Sequence, residues 1–149
     1  MKNHVEKISG LLLIFLSMTL LISEKEIEDN NTYSRATPIS LNVICSGSLS
    51  GNNNAEKDWY TFTLENAGKV NITFSSKVMA NNNYNYYRVY VYGSANLNRP
   101  LSDYRIRGSM VLTNMDTLEL SRGVYYILIQ SYNSTWSDAD YSFIVNYIQ

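Results

Sequence analysis

The sequence predicts an all-β fold, a sandwich or a barrel, on three observations. Short apolar runs with a period of two recur from Ile39 to the end of the chain. Asn, Gly, Ser and Asp punctuate them, and no segment keeps helical spacing over three turns. Tyrosine is abundant, with 13 residues, and its ring suits a pleated, half-buried surface. Seven to nine short strands without intervening helices fit this pattern, and 149 residues are enough for one domain with a real core.

The opening stretch stands apart. Lys2 and Lys7 precede an apolar run, Leu11 to Ile22, broken only by Ser17, Met18 and Thr19, and Ser23, Glu24, Lys25 and Glu26 follow. A charged start, an apolar run of roughly 7–15 residues and a small residue after it describe a secretory signal peptide. The expected division is therefore a leader over residues 1–23 and a β-domain over residues 24–149. An uncleaved membrane anchor is the alternative, although a span needs about 20 apolar residues.

Cleavage would remove His4, the one histidine, and with it every histidine-based triad, general base and metal ligand. Cys45 is the single cysteine, so no internal disulfide forms; within Val43-Ile44-Cys45 it reads as a small buried hydrophobe. Without Lys2, Lys7 and Glu6 the chain carries 10 basic and 12 acidic residues. That balance has no basic stripe and gives no reason to expect a nucleic acid partner.

The strands follow in order. Asp58 to Leu64 alternates, with Tyr60, Phe62 and Leu64 on one face. Lys69 to Phe74 alternates again, with Val70, Ile72 and Phe74 inward, and Asn66-Ala67-Gly68 between the two is a hairpin-sized connection. Asn81-Asn82-Asn83 is a loop, and Tyr87 to Tyr92 a strand ending at Gly93. Ser109–Leu112 and Thr117–Leu120 are shorter candidates. Arg122-Gly123 turns into Val124–Gln130, the most apolar strand, and Tyr141–Ile148 closes the chain. The expected core is Tyr60, Phe62, Ile72, Phe74, Val89, Val91, Ile127, Ile129, Phe143 and Val145.

Three motifs carry a resemblance. Glu26-Ile27-Glu28-Asp29-Asn30-Asn31 leads into Ala36-Thr37-Pro38-Ile39. A Gly-rich turn, Gly47 to Gly51, precedes Asp58-Trp59-Tyr60-Thr61-Phe62. Gly123-Val124-Tyr125-Tyr126-Ile127 is followed by Asp140-Tyr141-Ser142-Phe143. In this order the chain resembles the bacterial pre-peptidase C-terminal domain family, which includes the collagen-binding domains of clostridial collagenases. The resemblance spans residues 26–147. It implies an antiparallel, jelly-roll-like β-sandwich of the kind usually attached to secreted proteases.

The acidic opening is the first site candidate. Glu26, Glu28, Asn30 and Asn31 supply hard oxygen ligands, and an extended segment puts Glu26, Glu28 and Asn30 on one side. The resemblance implies calcium held by this segment together with Asp58. The family's further acid, three positions earlier, is Ala55 here, with Glu56 beside it. The bland reading of the same residues is a solvated acidic start.

The second candidate is a strand face bearing Tyr126, Leu128, Gln130 and Tyr132, opposite Tyr125, Ile127 and Ile129. The collagen-binding relatives use a Tyr- and Leu-bearing face in this region, which makes Tyr126, Leu128 and Tyr132 the expected ligand-binding residues. Gln130 stands where an aromatic is expected. Tyr86, Tyr90 and Tyr92 around Arg88 form a second tyrosine stripe. Individually, such tyrosines also simply cover a sandwich.

The expected function is a secreted, non-catalytic binding module, calcium-stabilised, for an extracellular polymer: a matrix protein such as collagen, or cell-wall material including polysaccharide. No membrane partner is expected after leader cleavage. One rival is a structural or folding-assistance domain with no ligand of its own. The other is a small hydrolase working through carboxylates alone, for which a short sandwich offers little cleft.

Overall fold

The computed structural model describes residues 22–49, 56–76, 85–107, 112–131 and 139–148. Eleven strands lie in these residues: β1 (Ser23–Lys25), β2 (Thr37–Pro38), β3 (Ile44–Leu49), β4 (Lys57–Leu64), β5 (Gly68–Ser76), β6 (Asn85–Gly93), β7 (Ser102–Arg107), β8 (Leu112–Asn114), β9 (Leu118–Leu120), β10 (Gly123–Ser131) and β11 (Ala139–Ile148). A single 3₁₀ turn, Tyr33–Arg35, joins β1 to β2. Among the described residues no helix is long and apolar enough to cross a membrane.

The strands form two sheets packed face to face. One runs β1-β3-β11-β5-β8, with β9 also on β5; the other runs β2-β4-β10-β6-β7. The body of each sheet is antiparallel. The two short N-terminal strands are not: β1 pairs with β3, and β2 with β4, in parallel. The sandwich is thus mixed at the edges where the N-terminal segment joins it. The strand count exceeds seven to nine because β1 and β2 are pieces of two or three residues, too short to show a period.

Alternation explains the core. All ten residues expected inside are buried, and Cys45, Tyr87, Ile106 and Tyr141 join them. Rings dominate the interior: Tyr60 meets Phe143 edge-on at 4.8 Å, and Phe62 stacks on Tyr125 at 5.5 Å. Such pairs add about 0.5–1.5 kcal/mol beyond the area they bury.

Three expectations on the fold are corrected. The Asn66–Gly68 connection is not a hairpin: β4 and β5 lie in different sheets. Tyr60, Phe62 and Leu64 face Val70, Ile72 and Phe74 across the core, so burying both faces requires a crossing between layers. Gly47 is not in a turn but inside β3, paired with Tyr141 of β11. The short strand expected at Ser109–Leu112 is β8, Leu112–Asn114, and residues 109–111 lie outside the described residues. Strand β7 was not expected, because an edge strand reading SDYRIR fully buries only Ile106.

Candidate functional site

The N-terminal segment crosses from one sheet to the other. The Glu26 N–H donates to Ser46 O of β3 at 3.0 Å, and the Trp59 N–H of β4 donates to Asn30 O at 3.0 Å. Midway, Thr37 Oγ1 accepts the Ile27 N–H at 3.0 Å. This path brings Glu26 and Glu28 against Asp58, which the β4 ladder holds. One carboxylate oxygen from each of the three lies within 4.8 Å of the others.

Asp58 is fully buried, Glu26 half-buried and Glu28 exposed, so the cluster opens to solvent on one side. Tyr141 Oη donates to Asp58 Oδ2 at 2.5 Å, Tyr60 Oη donates to Glu26 Oε2 at 2.9 Å, and the two hydroxyl oxygens lie 2.6 Å apart. Glu26 Oε1 accepts the Ser48 N–H at 2.7 Å. Burial, aided by the charges of Glu26, Glu28 and Glu56, pushes the Asp58 carboxyl up to about 8 against the Tyr141 hydrogen bond. Burial likewise raises Glu26, against its bonds from Ser48 and Tyr60.

Gly47 explains how this network fits. A side chain there would collide with Tyr60 Oη, Glu26 Oε2 and Tyr141 Oη at once. Cys45, one turn of the pleat away, is fully buried and its thiol is pushed up to about 12 by burial and by Glu24 and Glu26. It is inert.

Of the five expected metal ligands, the structure gathers Glu26, Glu28 and Asp58. Asn30 is buried; its Nδ2 donates to Thr37 Oγ1 at 3.3 Å, while its Oδ1 has no hydrogen-bond partner. Asn31 points elsewhere: its Nδ2 donates to Asp29 Oδ1 at 2.6 Å, and its Oδ1 accepts the Lys57 N–H at 3.2 Å. Asp58 Oδ1 is also buried and unpartnered. A buried oxygen without a donor, Asp58 Oδ1, inside a cluster of three carboxylates is what a hard divalent cation would satisfy, and the donor set is all oxygen. The residues fit calcium. Glu56 acts on Asp58 through its charge, and Ala55 lies outside the described residues.

The outer face of the five-stranded sheet is aromatic. Leu128 of β10 sits between Trp59 of β4 and Tyr90 of β6 in register. Trp59 and Tyr92 meet above it at 5.6 Å, which leaves Leu128 almost wholly buried. Tyr126 is half-buried next to Trp59 at 6.4 Å, and Tyr90 stacks with Tyr92 at 5.9 Å. Tyr33, on the 3₁₀ turn, leans edge-on against both Trp59 and Tyr126. Arg88 lies over Tyr90 at 4.7 Å and makes a bidentate pair with Asp103. Gln130 belongs to the face, donating to Tyr90 Oη at 3.4 Å. Tyr132 lies outside the described residues, as does the side chain of Tyr86.

Sequence reasoning missed Trp59, Tyr33, Gly47 and the Tyr60–Tyr141 pair. The alternation of Asp58–Leu64 does put Trp59 outward and was the available signal. The tyrosine pair had none, because its residues are 81 positions apart.

A crystal structure of the pre-peptidase C-terminal domain of a collagenase from Bacillus anthracis superposes on 74% of this chain and 94% of its own, with 21% identity and a TM-score of 0.54. This chain has the fold of that domain. An adhesin domain of Lys-gingipain from Porphyromonas gingivalis overlaps 60% of each chain at 17% identity and a TM-score of 0.35, too loose an overlap to bear on the fold. No protein-family model matches the sequence, and no curated protein matches it.

Proposed function

We propose that this chain is a secreted, non-catalytic binding module. A calcium ion at Glu26, Glu28, Asn30 and Asp58 stabilises it, and the outer face of the five-stranded sheet receives an extracellular polymer. The observation that carries the binding reading is the aromatic face: Tyr33, Trp59, Tyr126, Tyr92 and Tyr90 gathered on one side of one sheet. Rigid amphipathic rings supply contact area at low entropic cost. The calcium reading rests on the cluster of Glu26, Glu28 and Asp58, in which Asp58 Oδ1 is buried and donorless, and on the buried, donorless Asn30 Oδ1 two residues along from Glu28.

The test is retention of purified protein on fibrillar collagen, peptidoglycan and insoluble polysaccharides. Collagen leads the panel because the structurally similar domain comes from a collagenase. Trp59→Ala and Tyr126→Ala should each weaken retention by at least about tenfold, since interface aromatics often contribute about 2 kcal/mol or more. Tyr132→Ala, at the third residue the sequence singles out for binding, completes the set. Retention on none of the polymers, or retention that survives all three substitutions, would turn the reading toward a structural domain without a ligand.

A further inference from the structure

We propose that the polymer received by the aromatic face is an anionic polysaccharide, read by a row of cations that crosses the sheet beside the rings. This assignment rests on the binding reading above, names the chemistry of the ligand and is independent of calcium.

Register assembles the row. Lys57 of β4 stands opposite Gln130 of β10, Gln130 opposite Arg88 of β6, and Arg88 opposite Arg105 of β7. The four strands are neighbours and antiparallel, so residues directly opposite share a face. That face is the outer one, because Asp58, Ile129, Val89 and Ile106, next to them in sequence, are buried. At the usual strand spacing the row spans roughly 14 Å. The next register row holds Trp59, Leu128, Tyr90 and Asp103. Cations and rings thus run side by side across one sheet. The sequence hides the row, because its charges come from three separate strands.

The balance of charge favours an anion. Among the described strand residues of this face, Asp103 is the one acid, against Lys57, Arg88 and Arg105. Arg88 holds it through Nε at 2.8 Å and Nη2 at 2.6 Å. Lys57 and Arg105 are exposed. Arg88 and Arg105 sit directly opposite each other, and like charges so placed destabilise a sheet. An anion laid across the row relieves that repulsion. The planar fork of Arg105 matches a carboxylate, and Lys57 supplies a point charge at the other end. Between the cations, Gln130 offers an amide that donates and accepts, as sugar hydroxyls require. The apolar C–H face of a sugar ring packs on Trp59 and Tyr90, which are half-buried.

The test compares binding of the full chain to polygalacturonate and to the same polymer methyl-esterified, which keeps the backbone and removes its charge. Chelator in the buffer prevents calcium from bridging polymer and protein. The acid form should bind about tenfold more tightly or better, since exposed ion pairs are each worth up to about fivefold. Sodium chloride raised from about 0.05 M to about 0.5 M should remove most of that difference. The double variant Lys57→Ala, Arg105→Ala should lose about fivefold or more on the acid form with an unchanged melting temperature. Lys57→Arg with Arg105→Lys, which keeps both charges, should lose less. Equal binding of the two forms, with Trp59→Ala still weakening both, would overturn the anionic assignment and leave the binding reading standing. Poly-L-glutamate bound as tightly as polygalacturonate would show that charge alone is read, and would overturn the sugar assignment. Binding to neither form would overturn the assignment, while retention on the other polymers still decides the binding reading.

Discussion

Asp58 concentrates the chemistry of this molecule in one side chain. Its carboxyl is pushed up to about 8 chiefly by burial, far above the ordinary value of 3.8. Below about pH 4 the folded and unfolded chains are both protonated there, and the contribution to stability is fully present. As pH rises toward 8, the unfolded chain ionises freely while the folded one holds its proton, so stability falls. Thermal melting in chelator should therefore decline between pH 5 and pH 8. Asp58→Asn should flatten that decline, and calcium should flatten it too, by favouring the ionised form. A pH-independent melt in chelator would show that Asp58 ionises without penalty. Gly47 is the second decisive residue. Gly47→Ala drives a methyl into Tyr60 Oη, Tyr141 Oη and Glu26 Oε2. It should cost about 1–3 kcal/mol, read by chemical denaturation, and weaken calcium binding.

Among the elements, the N-terminal segment and β4 do different work. The segment from β1 to β2 holds few apolar side chains inside, and Ile22, Ile27 and Tyr33 are exposed. Its place depends on hydrogen bonds and on the cation. A ligand that binds only the folded state stabilises by about 2.7 kcal/mol at a hundredfold excess over Kd. Calcium should accordingly raise the melting temperature by several degrees over chelator, and Asp58→Asn should abolish the difference. Superimposed curves would argue against the ion. Strand β4 is held by packing instead. Phe62 is almost fully buried and stacks on Tyr125, so Phe62→Ala should lose about 3–5 kcal/mol in chemical denaturation. The alternation of β4, β5, β6, β10 and β11 was legible because each buries one face and wets or exposes the other. Strands β8 and β9 were legible as short candidates, β8 with its bounds displaced; β1 and β2 were not, because two or three residues have no period. β7 was hidden by its charges, which lie on an edge where only Ile106 turns fully inward.

At the scale of the whole molecule, the expectation is export followed by processing. Mass spectrometry of protein from culture medium should find an N-terminus near Glu24. A cut there removes Ser23 from β1 and keeps the pairing of Glu24 with Cys45 and Lys25 with Ser46. Full-length chain confined to the membrane fraction would favour an anchor instead. Period-two spacing by itself determined that the chain is all-β and which residues make the heart of its core. It did so because alternation is a local property, imposed every two residues by the pleat. Only the tertiary structure decided which strands share a sheet, that β4 and β5 oppose each other across the core, and that Tyr141 reaches Asp58 and Tyr60 from more than 80 positions away. It also turned Asn31 from the cluster toward Lys57 and brought Tyr33 onto Trp59. The physical reason is the same in each case. These contacts are fixed by the packing of two twisted layers and by where buried polar groups find partners, and neither is written in the spacing of neighbouring residues.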